Sequence, residues 1–232
     1  MTGIALSRIG VEALDDPATD PALVVRMLRD IARANRWFGG TAAVHTGLAW
    51  LLTPADQGQT LSLFDVGTGA GDLPRDAAAW AARRGVTLRP CGLERIPAAA
   101  ALARDNGVPT LLGCASALPL ANRSVDVVLV SQVAHHLDDE GIVQLFTECH
   151  RVARRGVIIA DLRPSRLAAV AFRVGGALLG LHATTVLDGV TSLQRGLTAE
   201  RLRALAARAH SAPIHLQALP FARILLCWRT SP

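Results

Sequence analysis

Two adjacent histidines, His135 and His136, and a third, His182, are the residues of this 232-residue chain best suited to moving protons at neutral pH. The chain has neither lysine nor tyrosine, since all 24 basic residues are arginine, and this makes the histidines more important for proton transfer. Without lysine there is no Schiff-base nucleophile, pyridoxal-phosphate anchor or Walker A lysine. Without tyrosine the Tyr-x-x-x-Lys pair of short-chain reductases is excluded too. Proton transfer is therefore left to histidine and carboxylate groups.

A glycine-rich segment is the strongest sign of a ligand site. Residues 61–72 read LSLFDVGTGAGD, an apolar strand followed by three glycines and the start of a helix. Glycines let the backbone turn sharply and approach a ligand, and the helix N-terminus offers free N–H groups. The third glycine comes one position earlier than in the dinucleotide fingerprint G-x-G-x-x-G. The flanking carboxylates, Asp65 and Asp72, favour a cationic ligand over pyrophosphate.

This segment resembles motif I of the class I S-adenosylmethionine-dependent methyltransferases. The resemblance implies S-adenosylmethionine as cofactor, with Asp65, Gly67 and Gly69 along its amino-acid part and Glu94, which ends the second strand, on the ribose hydroxyls. The family's G-D-A-x-x-L-P segment is similar to GCASALP at 113–119, where Cys114 replaces the Asp that meets the adenine amino group. A backbone carbonyl or Ser116 is left for that contact. The predicted cofactor-binding set is Asp65, Gly67, Thr68, Gly69, Gly71, Glu94, Arg95, Cys114, Ala115, Ser116 and Ser131.

Later motifs extend the resemblance. The fourth strand reads DVVLVS at 126–131, matching the family's D-V-V-x-x-S, and the AHHL that begins at Ala134 is similar to its frequent L-H-H-L. Asp161 ends the fifth strand, where the family often has an acidic residue. The motifs occur in the family's order over about Leu61 to Trp228. The alternative is a Rossmann-like domain whose glycines serve only tight packing.

Strands and helices must alternate to place these residues together. From Leu61 onward, short apolar runs and helical periods alternate, which predicts a Rossmann-like, doubly wound α/β fold. We expect a mostly parallel seven-stranded sheet with an antiparallel edge hairpin, because the last two strands have no helix between them. The predicted strands are Leu61–Val66, Thr87–Leu93, Pro109–Leu112, Val125–Ser131, Gly156–Asp161, Ile214–Leu219 and Ala222–Trp228. The predicted helices are Ala22–Phe38, Ala42–Leu52, Leu73–Arg84, Ile96–Asn106, Asp138–Arg151 and Thr198–Ala209.

Two regions are predicted to cover the carboxyl ends of the strands. Residues 1–58 form an N-terminal helical cap, and residues 59–232 form the methyltransferase core. The core carries a lid insertion at about 164–196, apolar nearly all round up to His182. Arg173 and His182 interrupt the apolar run, which is too short for a stable membrane insertion. A lid over an apolar pocket is the preferred interpretation, with contact to a membrane surface as the alternative.

The acceptor is the least defined part of the prediction. The stretch LDDPATDPAL at 14–23 and the run RANRWFGG at 33–40 are similar to methyltransferases that accompany type III polyketide synthases. That resemblance implies O-methylation of a phenolic or polyketide hydroxyl, a reaction of secondary metabolism. C-methylation of a quinone-like ring and non-catalytic cofactor binding are the alternatives. Arg36, Trp37 and Asp188 are candidate substrate-binding residues, although Trp37 also reads as core. His136, His135 and His182 are the candidate bases, with Asp161 or Asp188 as an orienting group.

Charge and cysteine usage bound the remaining expectations. The net charge of +5 is scattered, so it indicates arginine usage and no nucleic-acid partner. The four cysteines form no C-x-x-C pair, so neither a metal site nor a disulfide framework is predicted. Together with the lack of a signal-peptide pattern, this favours a cytoplasmic protein. The expected partner is a small-molecule acceptor, and a homodimer is left open.

Overall fold

The computed structural model of the protein describes residues 12–230, so the first eleven residues of the predicted cap and the last two residues lie outside it. Helices and strands alternate along the described part of the chain. The helices are α1 Pro21–Trp37, α2 Gly40–Leu51, α3 Asp72–Ala82, α4 Pro97–Asp105, α5 Asp139–Val152, α6 Arg166–Leu178, α7 Ala183–Arg195 and α8 Ala199–Ala209. The strands are β1 Thr60–Val66, β2 Thr87–Glu94, β3 Thr110–Leu112, β4 Val125–Ser131, β5 Ala153–Leu162, β6 Ile214–Leu219 and β7 Arg223–Arg229.

The strands form one seven-stranded sheet in the order β3-β2-β1-β4-β5-β7-β6. The first five strands of that order are parallel, while β7 runs antiparallel to both β5 and β6. The predicted mostly parallel sheet with an antiparallel edge hairpin is confirmed. The strand order reverses between β1 and β4, so a crevice opens outside their carboxyl ends. The glycine segment and the two adjacent histidines follow these two strands.

Alternate side chains of β4 supply the two halves of the core. Val127 and Leu129 face α2 and α3, whereas Val128 and Val130 face α5 and α8, and all four are fully buried. Burial on both faces explains why β4 is a continuous apolar run. Each such side chain contributes about 1.5–3 kcal/mol relative to exposure. The sheet therefore holds the crevice in place from both sides.

Local signals set the bounds of α1. The Asp20 side chain accepts a hydrogen bond from the Ala22 N–H at 3.3 Å, and Pro21 occupies the first helical position. The helix ends at Trp37, and Gly39 follows in a left-handed conformation (φ +77°) that glycine adopts without strain. Through Val24 and Leu28, α1 packs over Ala70 and Ala99 near the carboxyl ends of β1 and β2. The cap helix thereby becomes one wall of the crevice.

The segment predicted as a lid folds into two helices, α6 and α7, joined by a turn at residues 179–182. Within residues 12–230 no helix is long and apolar enough to cross a membrane. The strand before this segment, β5, begins at Ala153, three residues earlier than predicted. The reason is a register shift between Val125 and Val127 of β4, which lets Ala153 pair with Val125.

Candidate functional site

A cavity of about 750 Å³ opens at the carboxyl ends of β1 and β4. It is bounded by the glycine segment at one end and by α6 and α7 at the other. Its volume lies in the range of small-molecule sites. Most of the predicted site residues line it: Asp65, Gly67, Thr68, Gly69, Glu94, Arg95, Cys114, Ala115, Ser131, His135, His136 and Asp188.

The glycine segment is a tight turn from β1 into α3. Gly67, Gly69 and Gly71 all have positive φ, between +54° and +75°. A Cβ at Gly67 would lie 2.4 Å from Val133 Cγ2, and one at Gly71 would lie 2.8 Å from Val108 Cγ2. Glycine is thus required here both by conformation and by the close approach of neighbouring side chains. Gly71 shapes the turn from behind and does not line the cavity.

Three carboxyl groups surround this turn. Asp65 is buried, and burial raises its pKa to about 7, with the carboxylates of Asp72 and Glu94 adding to the rise. Burial also raises the pKa of Asp72, although the Asn35 amide donates to its Oδ2 at 2.9 Å. Glu94 accepts hydrogen bonds from the N–H groups of Gly69 and Arg95 at 3.0 and 2.7 Å. Such a cluster of acidic groups attracts a cation and disfavours a phosphate.

His135 lies at the other end of the cavity in a short 3₁₀ turn, residues 134–136, that follows β4. Its Nδ1 lies 2.6 Å from Asp161 Oδ1, and both side chains are almost fully buried. Burial would raise the pKa of Asp161, but the His135 ring and the Leu162 N–H outweigh it and lower the pKa. An ionised Asp161 accepts a hydrogen bond from His135 Nδ1–H, and in that tautomer Nε2 carries the lone pair. That Nε2 is buried and has no hydrogen-bond partner among residues 12–230.

The His136 ring lies against the His135 ring, with centroids 4.3 Å apart and planes tilted by 35°, but the surroundings of His136 differ. Its Nδ1 lies 3.1 Å from Asp15 Oδ1 and 3.2 Å from an Arg195 guanidinium nitrogen. Arg195 is buried and also contacts Asp15 Oδ2 at 2.9 Å and Glu12 Oε1 at 3.2 Å. Against the effect of burial, His136 and Arg195 hold the pKa of Asp15 well below its usual value. His136 therefore belongs to a charge network that ties residues 12–16 to α7.

Glu12 and Asp188 complete this network as more weakly acidic groups. Burial raises the pKa of both carboxyl groups, and the charge of Asp15 adds to each rise. Asp188 accepts a hydrogen bond from the Ala13 N–H at 2.9 Å, while the Ser192 hydroxyl lies 2.9 Å from Glu12 Oε1. This end of the cavity thus contains two carboxyl groups whose pKa is raised by burial.

Glu12, His135 and His136 also place one ligand atom each within 4.8 Å of one another. Two imidazoles and a carboxylate are a donor set for divalent metals. The Arg195 guanidinium, however, lies 3.2 Å from both Glu12 and His136, and a fixed cation at that distance opposes a second one. The arrangement favours proton transfer over metal binding.

Several predicted residues lie away from the cavity. His182 caps α7, where its Nδ1 accepts the Thr184 N–H at 3.3 Å, and this local role separates it from the other histidines. Arg36 is exposed in the last turn of α1, and the Trp37 side chain is 67% exposed, so the interpretation of Trp37 as core is wrong. Phe38 turns inward in its place and lines the cavity. Ser116 also lies outside the lining, where its hydroxyl is 3.3 Å from Cys114 Sγ.

Comparisons with known proteins agree with this geometry. Residues 64–160 match the family model described as a methyltransferase domain. A Mycolicibacterium smegmatis protein named "probable S-adenosylmethionine-dependent methyltransferase" is 31% identical over 151 residues, which are 65% of this chain and 54% of that protein. The chain thus spans about half the length of that curated relative.

Residues 64–160 are thus a methyltransferase domain, and the chain is similar to the class I S-adenosylmethionine-dependent methyltransferases.

Solved methyltransferases share the fold of the chain. Human N-acetylserotonin methyltransferase, in complex with S-adenosylmethionine, has a TM-score of 0.62 at 14% identity, covering 92% of this chain and 57% of that one. A methyltransferase from Aquifex aeolicus has a TM-score of 0.59 at 13% identity, covering 91% and 99%. Magnesium protoporphyrin IX methyltransferase from Synechocystis has a TM-score of 0.55 at 17% identity, covering 83% and 84%. At these identities the likeness concerns the fold alone.

The turn end of the cavity fits S-adenosylmethionine, the cofactor of the family that the chain resembles. Ser131 Oγ is buried there without a hydrogen-bond partner among residues 12–230, and the buried Asp65 carboxyl group interacts with the Thr68 hydroxyl. Buried polar groups are nearly always satisfied, so an unpartnered one that lines a cavity indicates a polar ligand. S-adenosylmethionine carries a sulfonium and an ammonium group, which suit the Asp65 and Asp72 carboxylates, and ribose hydroxyls, which can donate to the Glu94 carboxylate. The Cys114 side chain is exposed at the rim.

Sequence reasoning missed several lining residues of the methyltransferase. Asn35 on α1 accepts a hydrogen bond from the Gln132 amide at 2.8 Å and donates one to Asp72. Asn35 thereby connects the cap to the segment after β4 and to the glycine segment after β1. Gln132 has φ +57°, a left-handed conformation that is uncommon for glutamine and that the sequence does not predict. Glu12 and Asp15 were missed as well, because only long-range contacts bring them to His136. No local sequence signal marks these roles.

Proposed function

We propose that this methyltransferase moves the methyl group of S-adenosylmethionine to the hydroxyl of a small apolar acceptor, a phenolic or polyketide-type compound. The observation that carries the proposal is the buried His135–Asp161 pair in the cavity wall. His135 lines the cavity just after β4, and its Nε2 is buried without a hydrogen-bond partner among residues 12–230. A positioned base of this kind matters for a phenol, whose oxygen is a poor nucleophile until its proton is removed.

The walls around His135 support an apolar acceptor. Phe38, Phe172 and Leu193 line the cavity beyond the histidines, with Leu162 and Ala222 between them. Phe38 and Phe172 pack edge to face with centroids 5.0 Å apart. A flat apolar ring is held well by such surfaces. Burial raises the pKa of Asp188, which lines the same cavity and would orient a second oxygen of the acceptor.

Different residues of the chain would then carry out different parts of the methyl transfer. When bound, the cofactor supplies an electrophilic methyl group on sulfur and leaves as a neutral thioether. His135 Nε2 takes the phenol proton as the new carbon–oxygen bond forms, and Asp161 stabilises the resulting imidazolium. The glycine turn and Glu94 hold the donor while the apolar walls align the acceptor and exclude water. Arg195 and Asp15 fix His136 beside the base.

Variants of the full chain, assayed with a panel of phenols and mass spectrometric product analysis, test the proposal. We expect a methyl ether from the native protein, and losses of about 10²–10⁴-fold in kcat for His135→Ala. Asp161→Asn should also lower kcat, because an amide oxygen stabilises an imidazolium less well than a carboxylate. His182→Ala is the matched control, since it removes a histidine that lies outside the cavity, and its kcat should stay near the native value.

The other outcomes are equally distinct. Native activity in His135→Ala together with its loss in His136→Ala would move the base to His136. A ring-methylated product would replace O-methylation by C-methylation of a quinone-like ring. Cofactor binding without turnover of any acceptor would support a non-catalytic binding protein. Loss of activity with a chelator would contradict the assignment of Glu12 and both histidines to proton transfer.

A further inference from the structure

One face of α6 leaves a stripe of large apolar side chains exposed. Leu167, Val170, Val174 and Leu178 are 80%, 62%, 56% and 84% exposed. Their spacings of three, four and four residues place them along a single side of the helix, here called the outer stripe. The solvent-exposed face of a helix in a soluble protein normally carries polar and charged residues. The outer stripe is therefore an apolar surface that the fold itself does not bury.

The opposite face of α6 is firmly packed, so the orientation of the outer stripe is fixed. Phe172 contacts Phe38, and a Cβ at Gly175 would lie 2.7 Å from the Phe38 ring. Gly176 is buried, and a Cβ there would lie 3.0 Å from Val186 of α7. Because α6 cannot rotate about its own axis without losing these contacts, the outer stripe cannot turn inward.

An exposed aromatic side chain lies near α6. Phe221 is 58% exposed, and its ring centroid is 6.4 Å from that of Phe38, which packs against Phe172 of α6. Leu167 and Ala171 of α6 line the cavity and are themselves exposed. The apolar surface therefore borders the mouth of the cavity.

The exposed charges on α6 have one sign. Residues 162–187 contain no Asp or Glu, while Arg166 and Arg173 are exposed on α6. Arg33 of α1, about half exposed, donates to the carbonyl oxygens of Leu179 and Gly180 just past the end of α6, and it is paired with the buried Asp30 at 2.6 Å. An apolar stripe bordered by Arg166 and Arg173 is complementary to an anionic lipid surface. A second copy of the same face would instead bring Arg166 and Arg173 toward other arginines.

We propose that α6 and its exposed neighbours bind an anionic lipid surface, with the cavity mouth turned toward the lipid. The helix has thirteen residues and lies parallel to the surface, with its side chains reaching into the headgroup region. Leucine and valine supply the apolar contact, and the arginines supply attraction to the lipid phosphates. This binding does not depend on the proposed methylation reaction.

Vesicle co-sedimentation of the full chain tests the proposal. We expect binding to vesicles that contain phosphatidylglycerol, weaker binding to phosphatidylcholine alone, and a loss of affinity at high salt. Val174→Glu should lower the affinity about tenfold or more, because it adds a negative charge in the middle of the stripe. Leu112→Glu is the matched control, since Leu112 is 52% exposed on β3 and lies outside α6. That variant should bind like the native protein.

Cofactor binding and thermal unfolding of both variants distinguish a surface effect from misfolding, because neither residue lines the cavity. Absence of vesicle binding by the native chain would overturn the proposal, as would equal losses in Val174→Glu and Leu112→Glu. A dimer that Val174→Glu dissociates, without vesicle binding, would show that a second copy covers the stripe.

Discussion

Asp65 is a buried carboxyl group placed where the family cofactor carries positive charge. Burial and the neighbouring carboxylates raise its pKa to about 7. A raised carboxyl pKa favours the folded state below the unfolded pKa, near 4, and this stability is lost as pH rises toward 7. Above pH 7 the protein without cofactor therefore contains a poorly solvated charge. A cationic ligand compensates for it, so affinity and stability compete at this residue.

Replacing Asp65 by Asn should separate these two effects. At pH 8 we expect Asp65→Asn to unfold at a higher temperature than the native protein without cofactor, and to bind S-adenosylmethionine more weakly. Native affinity should fall as pH drops below about 7, and the variant should lack this dependence. Differential scanning fluorimetry and calorimetry measure both properties. Asp76→Asn, at a more exposed carboxylate, is the control, and equal behaviour of the two variants would refute the role of Asp65.

Cys114 occupies the position where the resemblance implies an adenine-binding aspartate. Because the thiol is exposed and lines the cavity, an Asp introduced there can reach the cofactor without burial. We expect Cys114→Asp to tighten cofactor binding about tenfold, the effect of one hydrogen bond involving a charged group at about 1.5 kcal/mol. Ala117→Asp adds the same charge at an exposed site outside the cavity and should leave the affinity unchanged. Unaltered binding by Cys114→Asp would mean that adenine is held elsewhere.

The sequence alone could not assign separate roles to His135 and His136. His135 and His136 are neighbours of the same type on one turn, so no local pattern ranks one above the other. Their partners decide it: Asp161, from another strand, fixes His135, and Asp15 and Arg195 engage His136. Most of the predicted cofactor residues line the cavity, because they follow the ends of recognisable strands.

At the scale of elements, the glycine turn has a stringent and testable requirement. Gly67 and Gly58 both have φ near +77°, but only a Cβ at Gly67 would meet another atom, Val133 Cγ2 at 2.4 Å. Alanine at either position should cost about 1–2 kcal/mol for the left-handed conformation. Gly67→Ala should lose about 1–3 kcal/mol more through overpacking, and cofactor affinity with it. Urea unfolding compares the two, and equal losses would show that the turn relaxes freely.

Helix and strand identities were largely predictable, while their orientations were not. Asp20 and Pro21 predict the start of α1, and Gly39 predicts its end, because helix caps depend on residues that are neighbours in the sequence. The segment of α6 is apolar on several faces, so its composition cannot tell which side meets the cavity. Trp37 shows the same limit: the reversal at Gly39 turns Phe38 inward and leaves Trp37 outside.

At the scale of the whole molecule, the cavity is assembled from distant parts of the chain. Arg195 on α7 holds Glu12 and Asp15, Asn35 on α1 joins Gln132 to Asp72, and Arg95 donates to the Leu14 carbonyl at 2.8 Å. The cap, the glycine turn and α7 therefore share one polar network. A ligand that engages the turn should stabilise all three.

Hydrogen exchange with saturating S-adenosylhomocysteine tests this coupling. At a concentration of 100 times Kd we expect about 2.7 kcal/mol of added stability. Exchange should slow in residues 12–16, in α1 and in α7 as well as in the glycine turn, because the network links them. An Asn35→Ala variant removes the contact between α1 and Asp72, so its α1 protection should fall more than that of the turn. Protection confined to the turn and β2 would instead mean that the cofactor binds to the sheet without engaging the cap.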